Sequence, residues 1–197
     1  MTPDLAVSPL LALLLAAAYE AAPRSDTAHG GVREGPRAPV AAVADAPGAG
    51  PRIVVSEVMP DPQAVPDEAG EWIELYNAGG APAELRGWRL ASRSDPGHTV
   101  SRSLVVRPGA AVVLARNGDA GANGGVRADY AYGGDLTLAN GSDWLVLRDA
   151  RGAVVDSVGW SSPPRRGASW ALRDLGGERA DVAGAAWAVS EESFGRG

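Results

Sequence analysis

The sequence contains no cysteine and no lysine, and it has one phenylalanine in 197 residues. Without cysteine, the chain cannot form a disulfide, a thiolate metal site, a cysteine nucleophile or a lipid anchor on an N-terminal cysteine. All eighteen basic residues are arginine, which we interpret as coding bias in a chain so rich in alanine. The formal net charge of −6 argues against a general nucleic-acid binder, since such proteins carry basic surfaces.

Glycine and proline are abundant, with 26 and 15 residues, which favours many turns over long helices. Hydrophobic residues make up 45% of the chain, enough for a buried core. The length allows one domain, or one small domain with tails.

The first apolar run covers residues 9–18, with the sequence PLLALLLAAA. It is shorter than the roughly 20 apolar residues of a transmembrane helix, so no transmembrane span is predicted. Its length suits the hydrophobic region of a signal peptide, and residues 16–18 offer a small-residue cleavage site. The preceding residues carry Asp4 and no basic residue, so a buried helix or a misplaced start are the alternatives. We predict a signal-like segment over residues 1–20 and a secreted, periplasmic or cell-envelope location.

Residues 21–51 are rich in alanine, glycine, proline and arginine and contain neither leucine nor isoleucine. Such a segment cannot bury enough apolar surface to offset its ordering entropy, so we predict a disordered linker. The remaining boundaries are a β-domain over residues 52–191 and a flexible tail over residues 192–197.

Short runs of β-forming residues, separated by turn residues, begin at Arg52. Eight runs are predicted to be strands: residues 53–59, 71–77, 88–92, 99–106, 111–116, 143–148, 153–158 and 169–172. The runs 143–148 and 153–158 are predicted to form a hairpin. Several short strands at nearly regular spacing predict an all-β sandwich.

Alternation within the strands predicts which residues face the core. In 71–77, Trp72, Glu74 and Tyr76 share one face. In 143–148, Leu145 and Leu147 lie opposite Trp144, Val146 and Arg148. In 53–59, strict alternation places two groups of residues on opposite faces of the strand. One face has Ile53, Val55, Glu57 and Met59, and the other has Val54, Ser56 and Val58. Six tryptophans predict that indoles fill much of the core.

Three sequence blocks occur in a characteristic order: IVVSEVMPDP at 53–62, GEWIELYN at 70–77 and LRGWRL at 85–90. Pro108-Gly109 then precedes an apolar run, DSVGW follows at 156–160, and Ser169 and Trp187 come late. Together these resemble the lamin tail domain family, in its bacterial secreted form, over about residues 51–190. The resemblance implies an immunoglobulin-like β-sandwich. It also implies motif positions that we expect to be structural: Glu57, Glu71, Trp72, Glu74, Asn77, Gly87, Trp88, Asp156 and Trp160.

Residues suited to catalysis are few. His98 is the one histidine inside the β-domain, and its loop-like surroundings predict a solvated side chain. Glu57 and Glu74 lie in strands that could be neighbours, where two carboxylates share a proton or hold a cation. We favour the alternative that Glu74 accepts hydrogen bonds from a tryptophan or from Arg86 or Arg89. We predict no catalytic and no cofactor-binding residues, and therefore no enzyme.

Calcium is the one metal we consider as a cofactor, because two loops are rich in oxygen ligands. The candidate ligands are Asp61, Asp67 and Glu68 in loop 61–68, and Asn117, Asp119 and Asn123 in loop 117–123. Neither loop has the spacing of an EF-hand, and aspartate and asparagine are also ordinary turn formers.

The densest basic spot is PPRRG at residues 163–167, between Trp160 and Trp170. We interpret it as a surface loop, and nucleic acid is not a predicted partner.

The sequence predicts a non-catalytic, secreted or cell-envelope module that binds a protein or envelope partner through loops or a sheet edge. One alternative is a divalent-metal-dependent hydrolase, or an accessory subunit of a secreted hydrolase, using Glu57, Glu74 and loop 61–68. Another is a cell-surface element anchored by an uncleaved N-terminal run.

Overall fold

The computed structural model describes residues 50–93, 95, 97–161, 165–175 and 187–190. The predicted signal-like segment, nearly all of the predicted linker and the predicted tail lie outside these residues.

Short strands dominate the described residues, as the turn-rich sequence predicts. In chain order they are β1 (Ile53–Met59), β2 (Trp72–Asn77), β3 (Ala83–Glu84), β4 (Arg89–Ser92), β5 (His98–Thr99), β6 (Val105–Val106), β7 (Ala111–Ala115), β8 (Tyr130–Ala131), β9 (Asp143–Arg148), β10 (Val154–Trp160), β11 (Ser169–Leu172) and β12 (Trp187–Ser190). A single helical turn, α1 (Asp67–Gly70), precedes β2, and a 3₁₀ turn (Gly133–Asp135) follows β8.

The strands form two main sheets that make a sandwich. The large sheet has the order β12-β11-β1-β2-β7-β8, and the small sheet has the order β10-β9-β4-β5. A separate two-stranded sheet joins β3 to β6. Neighbours run antiparallel in every described pair except β7 and β8, which run parallel. The prediction of an all-β, immunoglobulin-like sandwich is confirmed.

The core lies between the facing sides of the two sheets. Ile73, Leu75, Leu145 and Leu147 are buried there, and Trp144 on the opposite face of β9 is 38% exposed, as alternation predicted. Tryptophan contributes less to this core than predicted. Of the six, Trp160 and Trp187 are buried in it, Trp88 and Trp170 pack against it, and Trp72 is buried in a separate cluster.

A β-bulge in β1 overturns the facing pattern predicted for that strand. The register with β2 shifts between Val55 and Glu57, so Ser56 is the extra residue. Because one inserted residue exchanges the two faces, Val55 and Val58 both enter the core. Asp156 in β10 accepts a hydrogen bond from the backbone N–H of Val55 (2.7 Å) and so joins the two sheets beside the bulge.

The single strand predicted over residues 99–106 is wrong. His98 and Thr99 pair with β4, whereas Val105 and Val106 pair with β3 in a different sheet. The residues between these two short strands form backbone hydrogen bonds to residues that are not part of a strand. One example is the bond from the N–H of Val100 to the carbonyl oxygen of Trp88 (2.8 Å). The segment 99–106 has the β-forming composition of one strand, but its two ends pair with strands of different sheets. Within the described ranges, no helix is long and apolar enough to cross a membrane.

Candidate functional site

Several connections leave the large sheet at one end of the sandwich. The register places Met59, at the end of β1, opposite Trp72, at the start of β2, which lies opposite Ala115, at the end of β7. The connection formed by residues 60–71 therefore starts and ends next to the start of the connection formed by residues 116–129. A Cβ atom placed on Gly124 would lie 3.6 Å from Cγ2 of Val65, so the two connections are in close contact. The two loops that hold the candidate calcium ligands belong to these connections.

The connection 116–129 covers part of the outer face of the large sheet. Because β8 runs parallel to β7, the chain must travel back along β7 before it pairs. Asp129 holds the returning chain in place, donating its N–H to Val113 O and accepting from Val113 N–H, both at 2.8 Å. Val126 is thereby buried against Trp72, Val113 and Ala115 in a second apolar cluster.

Between the two connections lies a cavity of about 170 Å³, here called the apolar pocket. Its side-chain lining is mainly apolar, and its walls include Met59, Pro62, Val65, Trp72, Asn123 and Val126. Gly70 also lines it, and a Cβ at that position would lie 2.5 Å from Cγ2 of Val65. A side chain at position 70 would therefore push loop 61–68 away from the sheet and change the shape of the pocket.

The oxygen atoms of loop 117–123 stabilise turns. Asn123 is 2% exposed, and its amide donates to Asn117 O (2.8 Å) and Val126 O (2.9 Å) while accepting from Val126 N–H (2.9 Å). The side chains of Asn117 and Asp119 accept from backbone N–H groups two residues further on, each at 2.9 Å. These are the contacts of Asx turns.

The carboxylates of loop 61–68 point to different partners. Asp61 lies 3.5 Å from Nε of Arg166, and Asp67 accepts from the Asn140 amide (2.9 Å). Glu68 is exposed and lines a second cavity. In the part of the chain that the structure describes, no group of three histidine, aspartate or glutamate side chains converges as a metal site would require. Calcium stays a candidate that the sequence named and did not predict.

The second cavity, here called the polar cleft, is open to solvent and measures about 490 Å³. Its lining residues are Glu68, Arg116, Asn117, Gly118, Ala131, Gly133 and Gly134. Arg116 follows β7 directly, and its side chain is 18% exposed. The polar cleft thus shares loop 117–123 with the apolar pocket.

Behind Arg116 lies Glu71, whose side chain is fully buried. Its carboxylate accepts from Nη1 of Arg116 and from the backbone N–H of Leu138, both at 3.2 Å. Burial raises the pKa of Glu71 to about 8, and Asp67 adds to this effect. Arg116 and the Leu138 hydrogen bond act in the opposite direction without cancelling it.

Tyr132 completes the surroundings of Glu71. Its hydroxyl donates to the backbone oxygen of Glu71 (3.3 Å). Burial, and then the proximity of Glu71, raise the pKa of Tyr132 well above its usual value. The phenol is therefore a neutral hydrogen-bond donor across the physiological range.

The predicted neighbours Glu57 and Glu74 are register partners on β1 and β2. Ser56 donates its hydroxyl to Oε1 of Glu74 (2.6 Å), and the Ser169 hydroxyl donates to Glu57. The contact described for the Glu74 carboxylate is with Ser56, and not with Arg86 or Arg89 as expected. The bulge at Ser56 brings the serine hydroxyl to Glu74 instead.

His98 is not the solvated side chain that the sequence predicted, because its side chain is 12% exposed and bonded at both ring nitrogens. Nδ1 lies 2.9 Å from Asp135, and Nε2 lies 2.7 Å from the Tyr130 hydroxyl. That hydroxyl also accepts from the backbone N–H of Ser101 (3.0 Å). Since β5 and β8 belong to different sheets, these residues join two sheet edges.

The other motif residues have structural roles. Asn77 makes four hydrogen bonds to the backbone, and the Trp160 indole donates to Ala139 O (2.9 Å). Gly87 has a φ of +81°, which suits glycine at its turn, and Trp88 packs on the core. Sequence reasoning missed Arg116, Tyr130, Tyr132 and Asp135. The signal for Arg116 was its place directly after an apolar strand, but only the register shows that Glu71 is beside it.

A sandwich of this kind, with cavities formed by loops at one end, is typical of immunoglobulin-like interaction domains. The chain belongs to the lamin tail domain family, since the family model Lamin Tail Domain matches residues 46–162. The resemblance seen in the three sequence blocks is confirmed. No curated protein matches the chain.

Proposed function

We propose that this protein is a non-catalytic, secreted or cell-envelope module that binds a protein partner through the apolar pocket. The observation that carries this proposal is the pocket itself, formed between two contacting connections on the outer face of the large sheet. Membership of a family of immunoglobulin-like, typically non-enzymatic domains supports it. The apolar run at residues 9–18 supports secretion.

The size of the apolar pocket favours one side chain of a partner over a metabolite or cofactor. Sites for drug-sized ligands measure about 300–1,000 Å³. A closed apolar cavity of about 150 Å³ holds one benzene molecule. A pocket of about 170 Å³ therefore suits a single aromatic or branched aliphatic side chain.

Substituting Ala64 with tryptophan tests the apolar pocket. Ala64 is exposed and lines the pocket, so an indole there would obstruct it at little cost to the fold. Val154→Trp is the matched control, because Val154 is 55% exposed on the small sheet. The measurement is affinity capture from the medium and envelope fractions of the producing organism, using full-length protein. We expect a partner that is retained by the wild type and by Val154→Trp and is lost with Ala64→Trp.

A partner retained equally by Ala64→Trp would move the interface to another surface. The capture is repeated with and without added Ca²⁺, because calcium at loops 61–68 and 117–123 remains a proposal. Retention that requires Ca²⁺ would favour a metal-dependent site at these loops.

The metal-dependent hydrolase is the second candidate, and the cross-strand pairing of Glu57 with Glu74 is the observation that favours it. Calorimetric titration of the full chain with Ca²⁺, Mg²⁺ and Mn²⁺ separates the two proposals. Binding heat that disappears in Glu74→Gln would favour the hydrolase, and no heat with any of the three ions would remove it.

A further inference from the structure

We propose that the polar cleft is a carboxylate-binding site in which Arg116 contacts the ligand. This proposal deepens the function proposed above and rests on it for the source of the carboxylate, which is a chain terminus or an acidic side chain of the bound partner. Loop 117–123 lines both cavities, with Asn117 and Gly118 in the polar cleft and Asn123 in the apolar pocket.

Arg116 is held in position by its backbone and by its side chain. Its N–H donates to Glu71 O (2.9 Å), and its carbonyl oxygen accepts from Gly133 N–H (3.1 Å). Nη1 then donates to Oε1 of the Glu71 carboxyl group (3.2 Å). A guanidinium fixed in this way loses little conformational freedom when it binds, which favours affinity.

Most of the donors of Arg116 remain available to a ligand. A guanidinium has five N–H groups, and among the described residues Glu71 is the acceptor that its side chain reaches. Two N–H groups on one edge of a guanidinium match the two oxygens of a carboxylate. The 18% exposure of the side chain, together with its place in the lining, makes these donors accessible from the cleft.

Glycine residues leave room for a ligand beside Arg116. A Cβ placed on Gly133 or Gly134 would have no atom within 4 Å, so both border open space. Gly118 lines the same cleft. A wall without side chains lets a planar carboxylate approach the guanidinium.

The charge of the lining favours a singly charged ligand. Arg116 is the one basic residue of the lining, and Glu68 is the one acidic residue. Both ligands would be repelled by Glu68, but the single charge of a carboxylate is balanced by Arg116, whereas a phosphate dianion would need a second basic residue, which this lining does not include.

Glu71 controls how much of the Arg116 charge the ligand meets. With a pKa of about 8, Glu71 is mostly protonated at pH 7, which leaves the guanidinium charge uncompensated. The charged and titratable groups around it are Arg116 after β7, Asp67 on α1 and Tyr132 after β8, and Tyr132 stays neutral. When Glu71 ionises at alkaline pH, its negative charge would compensate the positive charge of the Arg116 guanidinium. Binding of a carboxylate ligand would then become weaker.

The test is an NMR titration of the full chain with acetylglycine, which carries a carboxylate, and with acetylglycinamide, its neutral analogue. The readouts are the Nε–H resonance of Arg116 and the amide resonances of Gly118, Gly133 and Gly134. We expect saturable shifts with acetylglycine and none with acetylglycinamide. If only protonated Glu71 permits binding, affinity falls about tenfold between pH 7 and pH 9, and Glu71→Gln removes this dependence.

Gly134→Asp and Gly134→Asn form a matched pair that leaves Arg116 and Glu71 unchanged. Gly134 is exposed, so both side chains fit, but only aspartate adds negative charge to the cleft. We expect Gly134→Asp to weaken acetylglycine binding about fivefold relative to Gly134→Asn.

Three results would overturn the proposal: no shift with acetylglycine, equal shifts with acetylglycinamide, or tighter binding of inorganic phosphate than of acetylglycine. Because the probes are small and need no partner, such a failure leaves the apolar pocket intact as a proposal. Loss of the partner in Ala64→Trp, with unchanged acetylglycine binding, would separate the two sites.

Discussion

At the scale of single residues, Asn77 shows how one buried side chain organises several loops. It is fully buried and accepts from the backbone N–H groups of Arg52 (3.2 Å) and Gly79 (2.9 Å). Its amide donates to the carbonyl oxygens of Ala81 (2.8 Å) and Val106 (2.9 Å). The chain before β1, the turn after β2 and strand β6 are thus joined by one asparagine.

We expect Asn77→Ala to lower the free energy of unfolding by about 3 kcal/mol, because it leaves buried backbone groups without partners. Urea unfolding of the full chain measures this. Asn117→Ala is the control, since its side chain makes one hydrogen bond in a loop and should cost about 1 kcal/mol or less. Equal losses in the two variants would contradict the role assigned to Asn77.

At the scale of elements, the sandwich is joined by polar contacts along both sides. Asp156 on β10 bonds to β1 along one side. Along the other, the Tyr130 hydroxyl on β8 meets His98 of β5 and Ser101. Arg102 lies over the Tyr130 ring, 5.1 Å from its centre.

Tyr130→Phe keeps the ring and removes the hydroxyl, so it isolates these hydrogen bonds. We expect a loss of about 1–3 kcal/mol in unfolding free energy and faster hydrogen exchange in β5. Tyr76→Phe is the control, because no hydrogen bond of the Tyr76 hydroxyl is found within the described residues. Unchanged exchange in β5 would show that other contacts hold this edge.

The elements also show what the sequence can predict. The bounds of β1, β9 and β11 were predicted correctly, because each strand is long enough for alternation to be visible and is bounded by turn residues. Strands β3 and β8 have two residues each, which is too short for any periodicity. The bulge in β1 was missed, because an inserted residue is defined by the partner strand, which the sequence does not reveal.

The candidate site was harder to predict than the fold. The sequence singled out the two oxygen-rich loops separately, and only the structure shows that their connections are in contact. The oxygens of loop 117–123 stabilise turns, whereas the carboxylates of loop 61–68 point to different partners. The partnership of Glu71 with Arg116 depends on the register of β2 with β7, and that of His98 with Tyr130 depends on which sheet edges meet. Contacts across 45 or 32 residues leave no local pattern in a single sequence.

At the scale of the whole molecule, Glu71 and Glu84 give stability a pH dependence. Glu71 has a pKa of about 8 in the folded protein and about 4.5 when solvated, so the folded state binds more protons between these values. The stability that Glu71 contributes to the folded protein is fully present below pH 4.5 and is lost as the pH rises through 8.

Glu84 behaves in the opposite way. Hydrogen bonds from Ser103 and from the N–H groups of Leu104 and Arg86 lower the pKa of Glu84 to about 2. Its contribution is present above pH 4.5 and is lost as the pH falls through 2.

Urea unfolding of the full chain between pH 5 and pH 9 tests the contribution of Glu71. We expect the wild type to lose about 4 kcal/mol across this range through Glu71, with the steepest change below pH 8. Glu71→Gln removes the titrating group, so its stability should vary much less with pH. Parallel curves for the two proteins would show that Glu71 does not titrate as its burial implies.

The parallel pairing of β7 with β8 has a consequence for how such a domain diversifies. The connection that this pairing requires supplies walls to both cavities, and its residues 118–122 are exposed. Insertions or exchanges there change neither the register of any strand nor the main core, and loop length costs little in entropy. Recognition properties could therefore diverge rapidly between descendants of one gene while the framework stays constant. The same segment is the natural position at which to randomise residues when selecting variants with new binding specificity.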